Sequence, residues 1–241
     1  MNRVRKLGII GGTSWSSTAL YYEHINRGVA HRLGGLHSAR MAIESLDLAP
    51  IAAMELSGDW DGVANATIEA AKRLQKSGAE GLLIASNTGH KVYDAVAANV
   101  DVPMLHIAEA TADCLVADGR KRVALIGTRF TMTEPHVRSR LESRGIALAP
   151  IDPMWIPEID RIIFEELAAG LIVRNSQRML KTLITELEKQ KVQAVVLGCT
   201  ELVLAVDVRA NVLPVYDTTA IHARAAVEWM LAEEEQARAA A

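Results

Sequence analysis

The chain has 241 residues, half of them hydrophobic and 23% charged, which is enough to bury a sizeable core as one large domain or two small ones. A net charge of −3 gives no electrostatic footprint for nucleic acid or an anionic membrane surface, and no apolar stretch approaches the length of a membrane span. The two cysteines, Cys114 and Cys199, are far apart and make neither a disulfide framework nor a zinc site, which points to a cytoplasmic protein.

In chain order, the basic residues Arg3, Arg5 and Lys6 precede a first apolar strand at 6–10, which Gly11 and Gly12 interrupt too soon for a signal-peptide core. Further strands are predicted near 39–46, 80–85, 103–106, 122–127, 146–150, 193–198 and 213–216, with helix-period segments between most of them. Strand-length apolar runs alternating with helices are the pattern of an α/β chain with parallel sheets. Ser16 and Ser17 mark the start of a long helix to Arg32, Asp59 a helix over 60–77, and Pro135 the first turn of a helix over 134–143. Gly78, Gly119, Gly145 and Gly170 stand where helices stop. The segment 47–61 reads as a loop and a candidate lid, and 218–240 as a final helix rich in Ala and Glu.

Two segments are variants of one another. Ala79–Thr88 ends an apolar run in Ser86-Asn87-Thr88, and Val192–Glu201 ends one in Cys199-Thr200-Glu201; each is followed at a similar distance by a proline, Pro103 or Pro214, that opens a further strand. Leu7–Thr13 corresponds to Val123–Thr128 at nearly the same offset. A duplicated chain of this kind divides into a first domain of 1–108 plus 215–241 and a second of 109–214, each carrying one reactive side chain.

In open parallel sheets, ligands bind beyond the carboxyl ends of the strands, where helix N-termini present backbone N–H groups. Thr13 and Ser14 after the first strand, Asn87 and Thr88 after Ser86, and Thr200 after Cys199 add hydroxyl and amide donors there, which suits a bound carboxylate. The Gly11-Gly12-Thr13-Ser14 loop is neither a dinucleotide fingerprint nor a Walker sequence, so a nucleotide-binding reading rests on the fold alone. Plainer readings stand beside these: Cys199 as a buried structural thiol, Ser86 as a helix cap, and His90 as a satisfied structural histidine where it could also assist proton transfer, while His106 and His222 could approach from their strand and helix ends. Cys114 lies on an apolar helical stripe, and no spacing among the seven histidines resembles a metal site.

Together, Gly11-Gly12-Thr13-Ser14-Trp15, Ser86-Asn87-Thr88-Gly89-His90, Gly198-Cys199-Thr200-Glu201-Leu202 and Asp217-Thr218-Thr219-Ala220-Ile221-His222 resemble the aspartate/glutamate racemase family, in particular its broad amino-acid racemase branch. The resemblance spans nearly the whole chain and includes Leu33-Gly34-Gly35-Leu36-His37-Ser38. It implies two pseudo-symmetric Rossmann-like domains with the active site in the cleft between them, commonly in a homodimer. It also implies racemisation of an acidic amino acid without a cofactor or metal. Two bases on opposite faces of the α-carbon move the proton, and Cys199 matches the second of the family's two cysteines. At the first position stands Ser86, a far weaker acid, so the two directions are expected to differ in kcat. Asn87, Thr88 and Thr200 would stabilise the developing charge, and Arg161 would meet a second carboxylate of the substrate. Other readings of the same superfamily are a single-cysteine decarboxylase or a cis-trans isomerase; a carboxylate-binding protein with weakened catalysis is a third.

Overall fold

A computed structural model describes residues 4–207 and 209–239. The chain forms two compact units. One comprises the described residues through His106 together with those from His222 onward, and the other is Ile107–Ile221.

In the first unit, β1 (Leu7–Gly11) leads into α1 (Trp15–Leu33), β2 (Met41–Ser45), α2 (Leu48–Ser57), α3 (Trp60–Lys76) and β3 (Gly81–Ile84). A 3-10 turn (Thr88–Val92), α4 (Tyr93–Ala97) and β4 (Met104–Leu105) follow. The second unit contains α5 (Ile107–Ala117), β5 (Arg122–Gly127), α6 (Arg129–Thr133), α7 (Pro135–Ser143), β6 (Ala147–Leu148) and α8 (Trp155–Arg161). It continues through a π-helical turn (Ile162–Glu166), α9 (Arg174–Lys189), β7 (Ala194–Gly198), a 3-10 turn (Thr200–Leu204) and β8 (Val215–Asp217). The final helix, α10 (Thr218–Ala239), begins in the second unit and continues into the first. No helix among the described residues is long and apolar enough to cross a membrane.

Each unit holds a four-stranded sheet, ordered β2-β1-β3-β4 in the first and β6-β5-β7-β8 in the second, with every pairing parallel. The duplicated segments therefore occupy equivalent places: β1 and β5 lie second, β3 and β7 third. All eight strands coincide with the runs expected from the sequence.

The central strands are buried on both faces, so alternate side chains feed two cores. In the first unit Leu7, Ile9 and Leu83 pack on Tyr21, Ile25 and Val29 of α1 and on Val227 and Met230 of α10. Ile10, Leu82 and Ile84 pack on the opposite face against Val63, Ala71 and Leu74 of α3. In the second unit Val123, Leu125 and Val196 face Leu115 and Leu141, while Ile126, Val195 and Leu197 face Leu180, Ile184 and Leu187. Each of these fully buried aliphatic side chains contributes roughly 1.5–3 kcal/mol of apolar transfer. Removing one, as in Leu83→Ala, costs about 2–5 kcal/mol.

Three local expectations change. The 47–61 segment is not a loop: Asp47 caps α2 by accepting the Ala49 N–H at 3.2 Å, and Pro50 fits the first turn, where its missing N–H costs nothing. The long first helix starts at Trp15 with Ser14 as its cap, ahead of Ser16 and Ser17. The second unit ends at Ile221 where a return near 215 was expected, because Val215–Asp217 pairs with β7. Asp59 caps α3 through the Gly62 N–H at 2.9 Å, and Pro135 opens α7, as read from the sequence.

Candidate functional site

In both units the strand order reverses beside the first strand, and there the loops after two adjacent strands leave the sheet together. In the first unit these are the loops after β1 and β3. They carry Thr13 and Ser14 on one side and Ser86, Asn87 and Thr88 on the other.

The turn after β1 is tight. Gly12 has φ +84°, and a Cβ there would overlap the backbone of Leu46. Its N–H donates to Thr18 Oγ1 at 2.8 Å. Ser14, which caps α1 by accepting the Ser17 N–H at 3.5 Å, holds φ +86° despite its side chain. Such a conformation costs of order 1–3 kcal/mol and persists only where the surroundings impose it. Ser14 Oγ also shares a hydrogen with Ser16 Oγ at 2.6 Å. Trp15 is 77% exposed, so it belongs to no core.

After β3, half-buried Ser86 accepts the Gly89 N–H on Oγ at 3.1 Å, which caps the 3-10 turn. The cap expected as the plain reading of Ser86 is thus present, and it occupies one lone pair while leaving the hydroxyl hydrogen to point elsewhere. Asn87 and Thr88 are buried beside it. His90 Nδ1 lies 2.6 Å from the Ser86 carbonyl oxygen; a carbonyl only accepts, so Nδ1 carries the hydrogen.

In the second unit Cys199 ends β7 and is buried. Its thiol donates to Glu201 Oε2 at 3.0 Å, and the Thr200 hydroxyl donates to the same oxygen at 2.6 Å. Burial first, and then the adjacent Glu201 carboxylate, push the Cys199 thiol well above its ordinary range; the N–H groups of Glu201 and Leu202 pull the other way and are outweighed. Cys199 therefore rests as a thiol.

The loop after β5, next to β7, adds a residue absent from the sequence-based list. Thr128 is buried and caps α6 by accepting the Thr131 N–H at 3.4 Å. Its correspondence with Thr13 was the available signal. The contact of Glu201 with the sulfur is a further element that the sequence did not show.

Arg161 lies at the end of α8, next to Asp160, which accepts the Arg129 N–H at 2.9 Å beside the loop after β5. It donates to Glu158 from Nε at 3.2 Å and from Nη2 at 2.7 Å, to Glu166 from Nη1 at 2.8 Å, and faces Glu165 at 3.8 Å. Glu158 is held below the usual carboxylate range by that hydrogen bond. The guanidinium is therefore engaged with carboxylates of its own segment, next to a π-helical turn of the kind often found at functional positions. Among the described residues no group of three or more His, Cys, Asp or Glu is placed to hold a metal ion.

The sequence model for Asp/Glu/hydantoin racemase matches residues 10–226, a span that takes in both loop sets. The chain belongs to that family. As a member it is an isomerase, a racemase of the pyridoxal-phosphate-independent kind. It is 42% identical to a Yersinia pestis protein whose crystal structure is described as that of a candidate Asp/Glu racemase, with a TM-score of 0.88 and coverage of 94% of this chain and 99% of the other. An aspartate racemase homologue from Pyrococcus horikoshii OT3 is 32% identical, with a TM-score of 0.81 over 95% of this chain and 99% of that one. The broad specificity amino-acid racemase RacX of Bacillus subtilis is 27% identical over 174 residues, which is 72% of this chain and 75% of the relative.

Proposed function

We propose that this racemase inverts an amino acid with an acidic side chain, aspartate or glutamate, by transferring a proton at the α-carbon between a Cys199 wall and a Ser86 wall. The observation that carries the reading is the equivalence of the two positions. Each residue follows the third strand of a sheet with the same strand order, Ser86 two residues after β3 and Cys199 directly after β7, and each precedes a 3-10 turn lined by buried polar side chains. The names of the Yersinia and Pyrococcus relatives favour an acidic substrate, while that of RacX sets the wider range to be tested.

On the Cys199 wall the thiol proton passes to Glu201, the resulting thiolate takes the α-proton, and the C–H electron pair stays on the substrate. Asn87, Thr88, Thr200, Thr13 and Ser14 are the donors proposed to hold the α-carboxylate while that charge develops. Reprotonation on the opposite face comes from the Ser86 hydroxyl, a reluctant donor that makes this step slow; the alkoxide then regains a proton from solvent and Glu201 gives its proton up to solvent, which resets both groups. The two enantiomers have equal free energy, so kcat/KM is the same in both directions. The asymmetry therefore appears as unequal kcat values with compensating KM values.

The test is proton NMR of L- and D-aspartate and glutamate in deuterium oxide, with chiral chromatography of the same samples. The expected result is loss of the α-proton signal with inversion, and different kcat for the two hands. Exchange without inversion would leave only the Cys199 wall working. No exchange with any of the four, or with basic and neutral amino acids, would instead favour a decarboxylase, a cis-trans isomerase or a carboxylate-binding protein.

A further inference from the structure

Behind the Ser86 turn, the first unit buries an uncommon group of rings. His90, His106 and His222 are 2%, 4% and 0% exposed. The His90 ring centroid lies 4.6 Å from that of His106, 5.7 Å from that of His222 and 5.6 Å from that of Tyr93, on which it stacks. Tyr93 and His106 are 4.4 Å apart, and Tyr21 meets His222 edge-on at 5.7 Å. The rings come from five places in the chain: α1, the 3-10 turn, α4, the residue between β4 and α5, and α10.

The hydrogen bonds define the protonation of two of them. His222 Nε2 lies 3.2 Å from the Leu105 carbonyl and must donate to it, which leaves Nδ1 to accept the Tyr21 hydroxyl hydrogen at 2.9 Å. His90 donates from Nδ1 to the Ser86 carbonyl, so in its neutral form Nε2 is the nitrogen without a hydrogen. Tyr93 anchors the group by donating its hydroxyl to the Met104 carbonyl at 2.6 Å. Burial away from water disfavours the charged form of an imidazole. Burial accordingly lowers His222 to about 4.

We propose that His90 is the positioning residue of the Ser86 wall: its neutral Nδ1–H form holds the Ser86 carbonyl, and the packed rings of Tyr93, His106 and His222 keep it in that form. The inference rests on the reading that Ser86 acts on substrate, and it adds a residue that acts through Ser86. Its backbone consequence is specific. The Ser86 carbonyl is held by His90 and the Ser86 hydroxyl oxygen by Gly89, so the placement of that oxygen is set from both ends of the residue.

Two variants separate positioning from mere packing. The side-chain amide nitrogen of asparagine falls near the place of imidazole Nδ1, and that of glutamine near Nε2. His90→Asn is expected to keep kcat within about threefold of the parent, while His90→Gln loses about tenfold or more in kcat at unchanged KM, a loss in scale with small misplacements of a reacting group. Thermal melts check that both variants fold. Equal loss in the two variants would overturn the proposal. The second arm is nitrogen-15 NMR of the imidazoles, in which His90 should carry its hydrogen on Nδ1. A His90 that carries its hydrogen on Nε2 alone would overturn it independently of activity. If the parent enzyme exchanges no α-hydrogen, the reading of Ser86 falls, and the tautomer alone decides whether His90 holds the turn.

Discussion

Ser86 and Cys199 follow the third strands of two sheets of the same order, yet their surroundings have opposite polarity. Ser86 is surrounded by donors, with the Gly89 N–H on its hydroxyl and the His90 imidazole on its carbonyl. Cys199 faces an acceptor, the Glu201 carboxylate, which also takes the Thr200 hydroxyl. A donor on a hydroxyl oxygen eases release of its proton, whereas a carboxylate on a thiol holds the proton in place until it is needed. On the function proposed above, the Ser86 position is suited to supplying a proton and the Cys199 position to accepting one.

The strongest way to break this comparison is Cys199→Ala. It should lower α-hydrogen exchange by about a thousandfold or more, since it removes the proposed nucleophilic base outright. Deuterium incorporation measured by NMR checks it, and residual exchange near the parent rate would mean that the Ser86 end works alone. Glu201→Gln sharpens the comparison from the other side. Removing the carboxylate should shift the pH midpoint of Cys199 alkylation downward, because both its charge and its hydrogen bond raise that midpoint, while kcat falls about 10- to 100-fold with the lost proton acceptor. Peptide mapping by mass spectrometry separates Cys199 from Cys114.

Acid should affect the first unit through its histidines. His222 is lowered by burial from the ordinary 6.5 to about 4, so the unfolded chain binds the proton first as pH falls. The stabilisation is complete above 6.5 and is lost between there and about 4, roughly 3 kcal/mol in all, of which about 2 kcal/mol is gone by pH 5. Urea unfolding at pH 7 and pH 5, followed by hydrogen exchange of β1 and β3, measures it; no change in the protection of those strands would remove His222 from the balance. Ser86→Ala should cost about 1 kcal/mol of cap stability, read as a lower melting temperature. Ser86→Cys should bring the kcat values for the two enantiomers together. The smallest effect expected is that of Arg161→Ala. If the guanidinium leaves its glutamates for the substrate, KM rises severalfold for aspartate and glutamate and not for neutral amino acids. If it stays, only stability changes, by about 0–1 kcal/mol for the exposed pairs with Glu158 and Glu165 and by more for the buried Glu166, which loses its donor.

The eight strands were legible because each is a short apolar run bounded by turn residues, a pattern that depends on neighbours along the chain. The loops at the strand ends were legible for the same reason, since Thr13, Ser14, Asn87, Thr88 and Thr200 follow those runs directly. The helix over 48–57 was missed because Pro50 reads as a breaker unless its place in the first turn is known. The end of the second unit was misplaced because β8 joins its sheet only by pairing with β7, a partner about twenty residues earlier.

By itself, then, the sequence determined the strand pattern, the duplication and the two residue types that end the equivalent strands, all of which rest on local order along the chain. Only the tertiary structure decided that Cys199 rests as a thiol, because burial and a facing carboxylate outweigh two backbone dipoles. It alone showed Arg161 tied to its own glutamates, and it alone brought His90, His106 and His222 into one packed group from segments more than a hundred residues apart. Protonation and charge depend on what surrounds a group in space, and that is set when distant segments fold onto one another.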